Sequence, residues 1–262
     1  PIFRNIDFKP LVGDEVVFQI ENTTAGYIME VKERRNFLVR PPISNIDQAI
    51  IVVSAKEPDF STLLLDKFLL LIESARIKPV ICITKADLID DDDPILMDIE
   101  NYRKSGYEIH LLSAKEETGL EAIQDVFKGK ESVITGQSGV GKSTLLNALN
   151  IHLNLETNEI SKALGRGRHT TRHVELVKIL GGLVADTPGF SSLELEMSKE
   201  EAAVAYHDFA QLSAQCKFRE CLHDSEPHCK VKEAVEMGEI ARTRYQHYLQ
   251  FLNEIKNRKE KY

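Results

Sequence analysis

The sequence predicts an α/β fold. A mostly parallel sheet is flanked by a small antiparallel β unit at the start of the chain and a mostly helical region at its end. Three observations carry the prediction. Between residues 43 and 192, short continuous apolar runs alternate with helical patterns, the mark of strands covered on both faces by crossover helices. Residues 1–42 instead hold short strand-like runs separated by turn residues and closed by Pro41-Pro42. Residues 193–262 read as helices interrupted by three cysteines within 14 residues.

The elements follow in order. Residues 16–20, 26–31 and 36–40 read as strands, with turns at 22–26 and 33–36. In the middle region strands are expected at 49–54, 79–84, 110–113, 132–135, 173–177 and 182–186, and helices at 61–75, 93–105, 120–127 and 141–149. The last region has helical patterns at 198–214 and 230–261. The final pattern carries Arg242, Arg244, Lys256, Arg258, Lys259 and Lys261 beside an apolar stripe of Tyr245, Tyr248, Leu249, Leu252 and Ile255. A surface helix docked by that stripe is the plain expectation.

Composition narrows the class. A chain of 262 residues, 42% apolar and 28% charged, suits a soluble globular protein of about two domains. No apolar run reaches the ~18 residues that span a bilayer, and the first residues lack the apolar core of a signal peptide. Membrane and secreted classes are therefore set aside, and a cytoplasmic location is expected. The net charge of −8 disfavours a protein basic all over, but leaves room for a local patch that binds nucleic-acid phosphate.

Four cysteines are too few for a disulfide scaffold in a chain this long. Cys216-x4-Cys221-x-His223-x5-Cys229 supplies three thiolates and one imidazole, a closed tetrahedral set for structural Zn²⁺. Free thiols or a redox pair are the alternatives, and His228 is an alternative ligand. Cys82, within an expected strand, reads as a buried core thiol.

Gly136-Gln137-Ser138-Gly139-Val140-Gly141-Lys142-Ser143 fits G-x-x-x-x-G-K-[ST] between an expected strand and a helix that continues through Thr144. Glycines let successive N–H groups curl around phosphates, and the helix N-terminus adds its dipole. Lys142 should reach the β- and γ-phosphates, and Ser143 should ligate Mg²⁺. Asp186-Thr187-Pro188-Gly189 follows another strand. Asp186 is placed to be the acid that holds Mg²⁺ through its outer shell, and Gly189 to offer an N–H to the γ-phosphate.

Thr84-Lys85-Ala86-Asp87 ends a further strand and resembles the N-K-x-D guanine motif of GTPases. Asp87 can accept both N–H donors on the Watson–Crick edge of guanine, which adenine does not offer. The Lys85 stem can cover the base, and Thr84 stands where Asn is usual. Ser113-Ala114-Lys115 resembles the motif whose backbone N–H groups contact guanine O6. Both base-reading motifs precede the phosphate loop, a circular permutation that spatially defined sites tolerate.

With these residues, the run Leu164-Gly165-Arg166-Gly167-Arg168-His169-Thr170-Thr171 and the segment Asp186–Phe190, the chain closely resembles the RsgA family (also called YjeQ or YloQ). These are bacterial circularly permuted GTPases of small-subunit ribosome assembly. The zinc spacing matches that family residue by residue. The resemblance implies an OB-fold portion at 1–42, a circularly permuted P-loop GTPase domain at 43–192 and a helical zinc-binding domain at 193–262. An OB-fold needs five strands, and about three are counted before Pro41.

The resemblance further implies hydrolysis of GTP to GDP and phosphate, stimulated by the small (30S) ribosomal subunit. It implies 16S rRNA as a partner, Mg²⁺ with GTP, one structural Zn²⁺ and a monomeric chain. Phe190 stands where many GTPases place a water-orienting Gln. His169 is then the candidate catalytic residue with Lys142 and Thr171, while Thr170 and Thr171 join Ser143 and Asp186 at Mg²⁺. Alternatively His169, with Arg166, Arg168 and Arg172, faces rRNA phosphate. A nucleotide-dependent rRNA scaffold with negligible turnover is the alternative function. An ATP-dependent small-molecule kinase is a third, which Asp87 argues against.

Overall fold

The computed structural model describes residues 9–21, 26–152, 175–186 and 193–258. Near the start, β1 (Val16–Ile20) and β2 (Gly26–Val31) form an antiparallel ribbon with a bulge at Val17/Phe18. A second ribbon pairs β3 (Phe37–Leu38) with β4 (Ile43–Ser44) across Pro41-Pro42. The expected strand at 36–40 thus shortens, and the prolines occupy the turn, where a missing N–H breaks no ladder bond. Asp14 ties the neighbouring loops together, accepting from Ser44 Oγ at 2.6 Å and Arg34 Nε at 2.7 Å. Among the described residues these four strands make two ribbons and no closed barrel.

The central sheet comprises β5 (Gln48–Ser54), β6 (Lys78–Thr84), β7 (Glu108–Leu111), β8 (Glu131–Thr135), β9 (Glu175–Ile179) and β10 (Gly182–Asp186), in the order β7-β6-β5-β8-β10-β9. All pairs are parallel except β9 with β10. β5 lies at the centre and is buried along its whole length. Its one amide, Gln48, donates to Val126 O at 2.7 Å and Ser132 Oγ at 3.0 Å, so no polar group is left unpaired there.

Helices α1 (Thr62–Ser74) and α2 (Ile95–Lys104) cover one face, and α3 (Leu120–Phe127) and α4 (Lys142–His152) the other. The C-terminal region contributes α5 (Lys199–Ala203), α6 (His207–Ser213), α7 (Lys230–Glu236) and α8 (Arg242–Asn257). It shares one continuous core with α1 and α2. α1 is buried on almost every side because it is sandwiched between the sheet and α8.

Two expected helices are each broken. The pattern at 198–214 splits around Val204–Tyr206, where no Gly or Pro warns of it. The break turns Tyr206 inward, and its hydroxyl donates to Asp66 O at 2.9 Å. The pattern at 230–261 splits at Gly238, whose φ of +76° closes the end of α7. Arg244, expected on a solvated face, is buried.

Candidate nucleotide site and metal centre

Parallel strands bring the carboxyl ends of β5, β6, β7, β8 and β10 to one edge of the sheet, where α/β folds hold their ligands. The phosphate-loop sequence joins β8 to α4 there. Gly136 has φ +143°, and a Cβ on it would stand 2.1 Å from Val52 O; only glycine fits this close approach. Gly141, at φ +95°, packs against the Thr84 side chain. Gln137, Ser138 and Gly139 face solvent, as do Ser143 and Thr144 at the helix start, while Val140 is buried beneath them. Lys142 Nζ donates to Gly136 O at 2.8 Å and Gln137 O at 2.7 Å, which sets its charge at the lip of the loop.

The Thr84–Asp87 and Ser113–Lys115 loops meet the phosphate-loop sequence directly. A cleft of about 260 Å³ is bounded by Lys85, Asp87, Ala114, Lys115, Gly141 and Thr144. Leu88, Leu112, Leu120 and Leu145 supply its apolar walls, contacts that no motif spacing announces. Asp87 Oδ1 accepts from Ser113 Oγ at 2.6 Å, and Lys115 Nζ lies 3.8 Å from Oδ2. The Ser113 hydroxyl, aided by Lys115 and Lys85, holds this carboxyl below its ordinary range. It is therefore ionised at neutral pH and an acceptor only. Ser113 Oγ also accepts from Glu116 N at 3.1 Å, which closes the loop. The Thr84 hydroxyl donates to Val140 O. The residue that replaces the usual Asn thus braces the phosphate loop.

Asp186 ends β10, whose last pair sets it beside Ile134 of β8. His169, Thr170, Thr171, Gly189 and Phe190 lie outside the described residues.

Cys216, Cys221, His223 and Cys229 converge, with their ligand atoms within 4.8 Å of one another. His223 Nδ1 lies 3.3 Å from Cys229 Sγ and 3.9 Å from Cys216 Sγ. Its Nε2 is turned away, 2.8 Å from Ser213 Oγ and 3.1 Å from Ala203 O. Such an outer contact fixes the tautomer and leaves Nδ1 free to bind a metal. Tyr245 and Tyr248 of α8 donate to His223 O and Leu222 O, each at 2.6 Å. Burial and the neighbouring sulfurs push Cys221 up to about 12 and Cys229 upward. A cation among them would reverse that shift, so the donor set fits a thiophilic divalent metal. His228 is exposed and stands outside the cluster.

Fold and site together define a P-loop-type α/β protein in which the strand-end loops Thr84–Asp87 and Ser113–Lys115 precede the phosphate-loop sequence in the chain. The comparisons agree. The family model described as RsgA GTPase matches residues 31–196. The small ribosomal subunit biogenesis GTPase RsgA of Bacillus subtilis is 56% identical over 265 residues, covering 100% of this chain and 89% of its own length. RsgA 2 of Oceanobacillus iheyensis is 58% identical over 264 residues, covering 100% and 90%. The crystal structure of YloQ, described as a circularly permuted GTPase, superposes with a TM-score of 0.82 at 50% identity, over 99% of this chain and 85% of that one. YjeQ from Thermotoga maritima gives 0.81 at 40% identity, over 99% and 89%. The chain belongs to the RsgA GTPase family.

Proposed function

We infer that this chain is a GTPase of small ribosomal subunit biogenesis. The observation that carries the reading is the junction of the Asp87 cleft with the Gly136–Ser143 loop, braced by Thr84. One pocket thereby offers an ionised acceptor for guanine and a cationic loop for phosphate.

The residues divide the work. Asp87 takes the guanine N–H donors, Lys85 covers the base, and the Ser113-Ala114-Lys115 backbone meets O6. Loop N–H groups from Gly136 to Thr144 and the Lys142 ammonium hold the phosphates and meet the charge that develops as the γ-phosphoryl leaves. Ser143 and Asp186, with Thr170 and Thr171, are the residues to hold Mg²⁺, which supplies charge neutralisation at the phosphates. Gly189 offers its N–H to the γ-phosphate, and His169 orients the attacking water. Cys216, Cys221, His223 and Cys229 hold a structural Zn²⁺ that stabilises the C-terminal region. The partners are GTP and GDP, the 30S subunit and its 16S rRNA. The chain works as a cytoplasmic monomer; no described helix is long and apolar enough to cross a membrane.

The test is GTP turnover with and without purified small subunits, with ATP in parallel. Large stimulation specific to GTP, lost in His169→Ala with GTP affinity retained, is expected. GTP binding with no stimulated turnover would assign the chain to a scaffold instead.

A further inference from the structure

In an open α/β sheet, ligands sit where the strand order reverses. Here that point lies between β5 and β8. The phosphate loop forms one lip of this crevice. The other lip is the segment after β5, residues 55–60, which belongs to none of the nucleotide motifs. Three of its contacts reach residues of the site, and one ties it to the segment ahead of α2. Ala55 N donates to Thr84 O at 2.9 Å. Ser54 Oγ donates to Lys56 O. Lys56 Nζ lies 2.7 Å from Asp93 Oδ2, just ahead of α2. Pro58 Cδ lies 4.0 Å from where a Cβ on Gly139 would stand. Lys85 Nζ, the ammonium of the guanine-motif lysine, donates to Glu57 O.

We propose that the arch Lys56-Glu57-Pro58 is a positioning element of the nucleotide site, whose Glu57 carbonyl anchors Lys85 and so holds the lysine stem as a wall of the base cleft. The inference rests on the guanine reading above. A lysine stem is flexible, and an untethered ammonium samples many positions. Fixing its far end before the base arrives leaves less freedom to lose on binding. Glu57 presents its carbonyl from a left-handed backbone, at φ +58°, while its own side chain is exposed. Backbone geometry at this residue is therefore the feature to perturb.

The experiment measures GDP and IDP affinity by calorimetry on the full chain with Mg²⁺, alongside thermal midpoints. Glu57→Val places a β-branched residue where φ is positive, and should weaken GDP about five- to tenfold. Glu57→Gly tolerates that φ and should bind within about twofold of the parent. In a Lys85→Met background, Glu57→Val should weaken binding no further, because the anchored group is gone. IDP lacks the 2-amino group that Asp87 reads, so the GDP-to-IDP ratio should stay constant throughout. Should the valine chain fail to fold, Lys56→Met releases the arch from Asp93 and should weaken GDP about two- to fourfold, with Lys56→Arg restoring it. Parent-like GDP affinity in Glu57→Val, or the same loss with Lys85 already removed, overturns the proposal. A parent chain that binds GDP no better than ADP would overturn the guanine reading first, and this inference with it.

Discussion

Arg244 offers a large and specific perturbation. Its side chain is 3% exposed, on the face of α8 that meets α1. The guanidinium donates to both oxygens of Asp208 and to Tyr107 OH, with Nε 3.6 Å from Asp66 Oδ1. It also stands over the rings of Tyr206 at 4.5 Å, Tyr107 at 4.9 Å and Phe209 at 5.8 Å. Arg244→Met keeps most of the volume and removes the charge. Asp66 would keep His247 Nδ1 at 2.6 Å and Tyr102 OH at 2.9 Å, so it is not orphaned. Asp208, with a side chain 15% exposed, loses its forked partner. Breaking a buried pair from one side costs about 3–5 kcal/mol.

Urea unfolding of the full chain measures that loss, and hydrogen exchange locates it at α8 and the facing side of α1. Arg244→Met with Asp208→Asn should recover part of the loss, because the stranded charge goes too. A loss under ~1 kcal/mol, the worth of an exposed pair, would refute the reasoning. It would mean that the apolar stripe and the Tyr206, His207 and His247 contacts dock the C-terminal region without Arg244.

Three further outcomes are expected. His207 Nδ1 lies 2.7 Å from Glu73 Oε1 and Nε2 lies 2.6 Å from Ser105 O; with an acceptor at each nitrogen, the contacts favour the imidazolium form. The Glu73 hydrogen bond raises its pKa. This contribution is complete below the unfolded value of ~6.5 and is lost as pH rises through the higher folded value. The urea midpoint should fall across that window, and His207→Gln should flatten the slope; an unchanged slope refutes the assignment. Asp87→Asn should weaken GDP at least about 30-fold, through lost charge-assisted hydrogen bonds, and should favour a xanthine nucleotide, which presents a carbonyl in place of the 2-amino group. Equal affinity for the two bases before and after the change would exclude Asp87 as the reader. Metal analysis should find one zinc per chain, lost in His223→Ala together with helical circular dichroism; full helicity after chelation would contradict a structural role.

What was legible in the sequence was chemistry written locally. The phosphate loop, the short strand-end motifs and the Cys-His spacing each declare themselves within a few residues, and parallel strands deliver the first two to one edge. Tertiary demands were not legible. Tyr206 breaks a helix because its ring and hydroxyl are needed against Asp66, and helix propensity says nothing of that. Arg244 read as one cation among many on a tail helix. The signal for its partner was present in Asp66, a carboxylate inside the run Leu63-Leu64-Leu65-Asp66-Lys67-Phe68-Leu69-Leu70, since a buried acid in an apolar helix requires a partner. Gly238 likewise marked the end of α7, and the long periodic pattern around it concealed the stop.

The permuted order has a mechanical consequence. β10 ends at Asp186, and the described chain resumes at Leu193 within the same core that holds α1 and α8. Leu195 is buried there, and Arg258 donates to its carbonyl. Residues 198–203 then lead to Ala203 O, which lies 3.1 Å from His223 Nε2 in the Cys-His cluster. The Cys-His cluster is therefore linked to the core shared with α1 through residues 193–203, and to α1 by the Arg244 and His207 contacts. A rigid swing of the C-terminal region away from α1 would carry Arg244 and Asp208 together, and would break the contacts of Arg244 with Tyr107 and Asp66 and of His207 with Glu73 and Ser105. A nucleotide can drive such a swing only by binding the swung state more tightly, by at least the free energy of those contacts. With that opposition, the docked helices are expected to stay in place across nucleotide states.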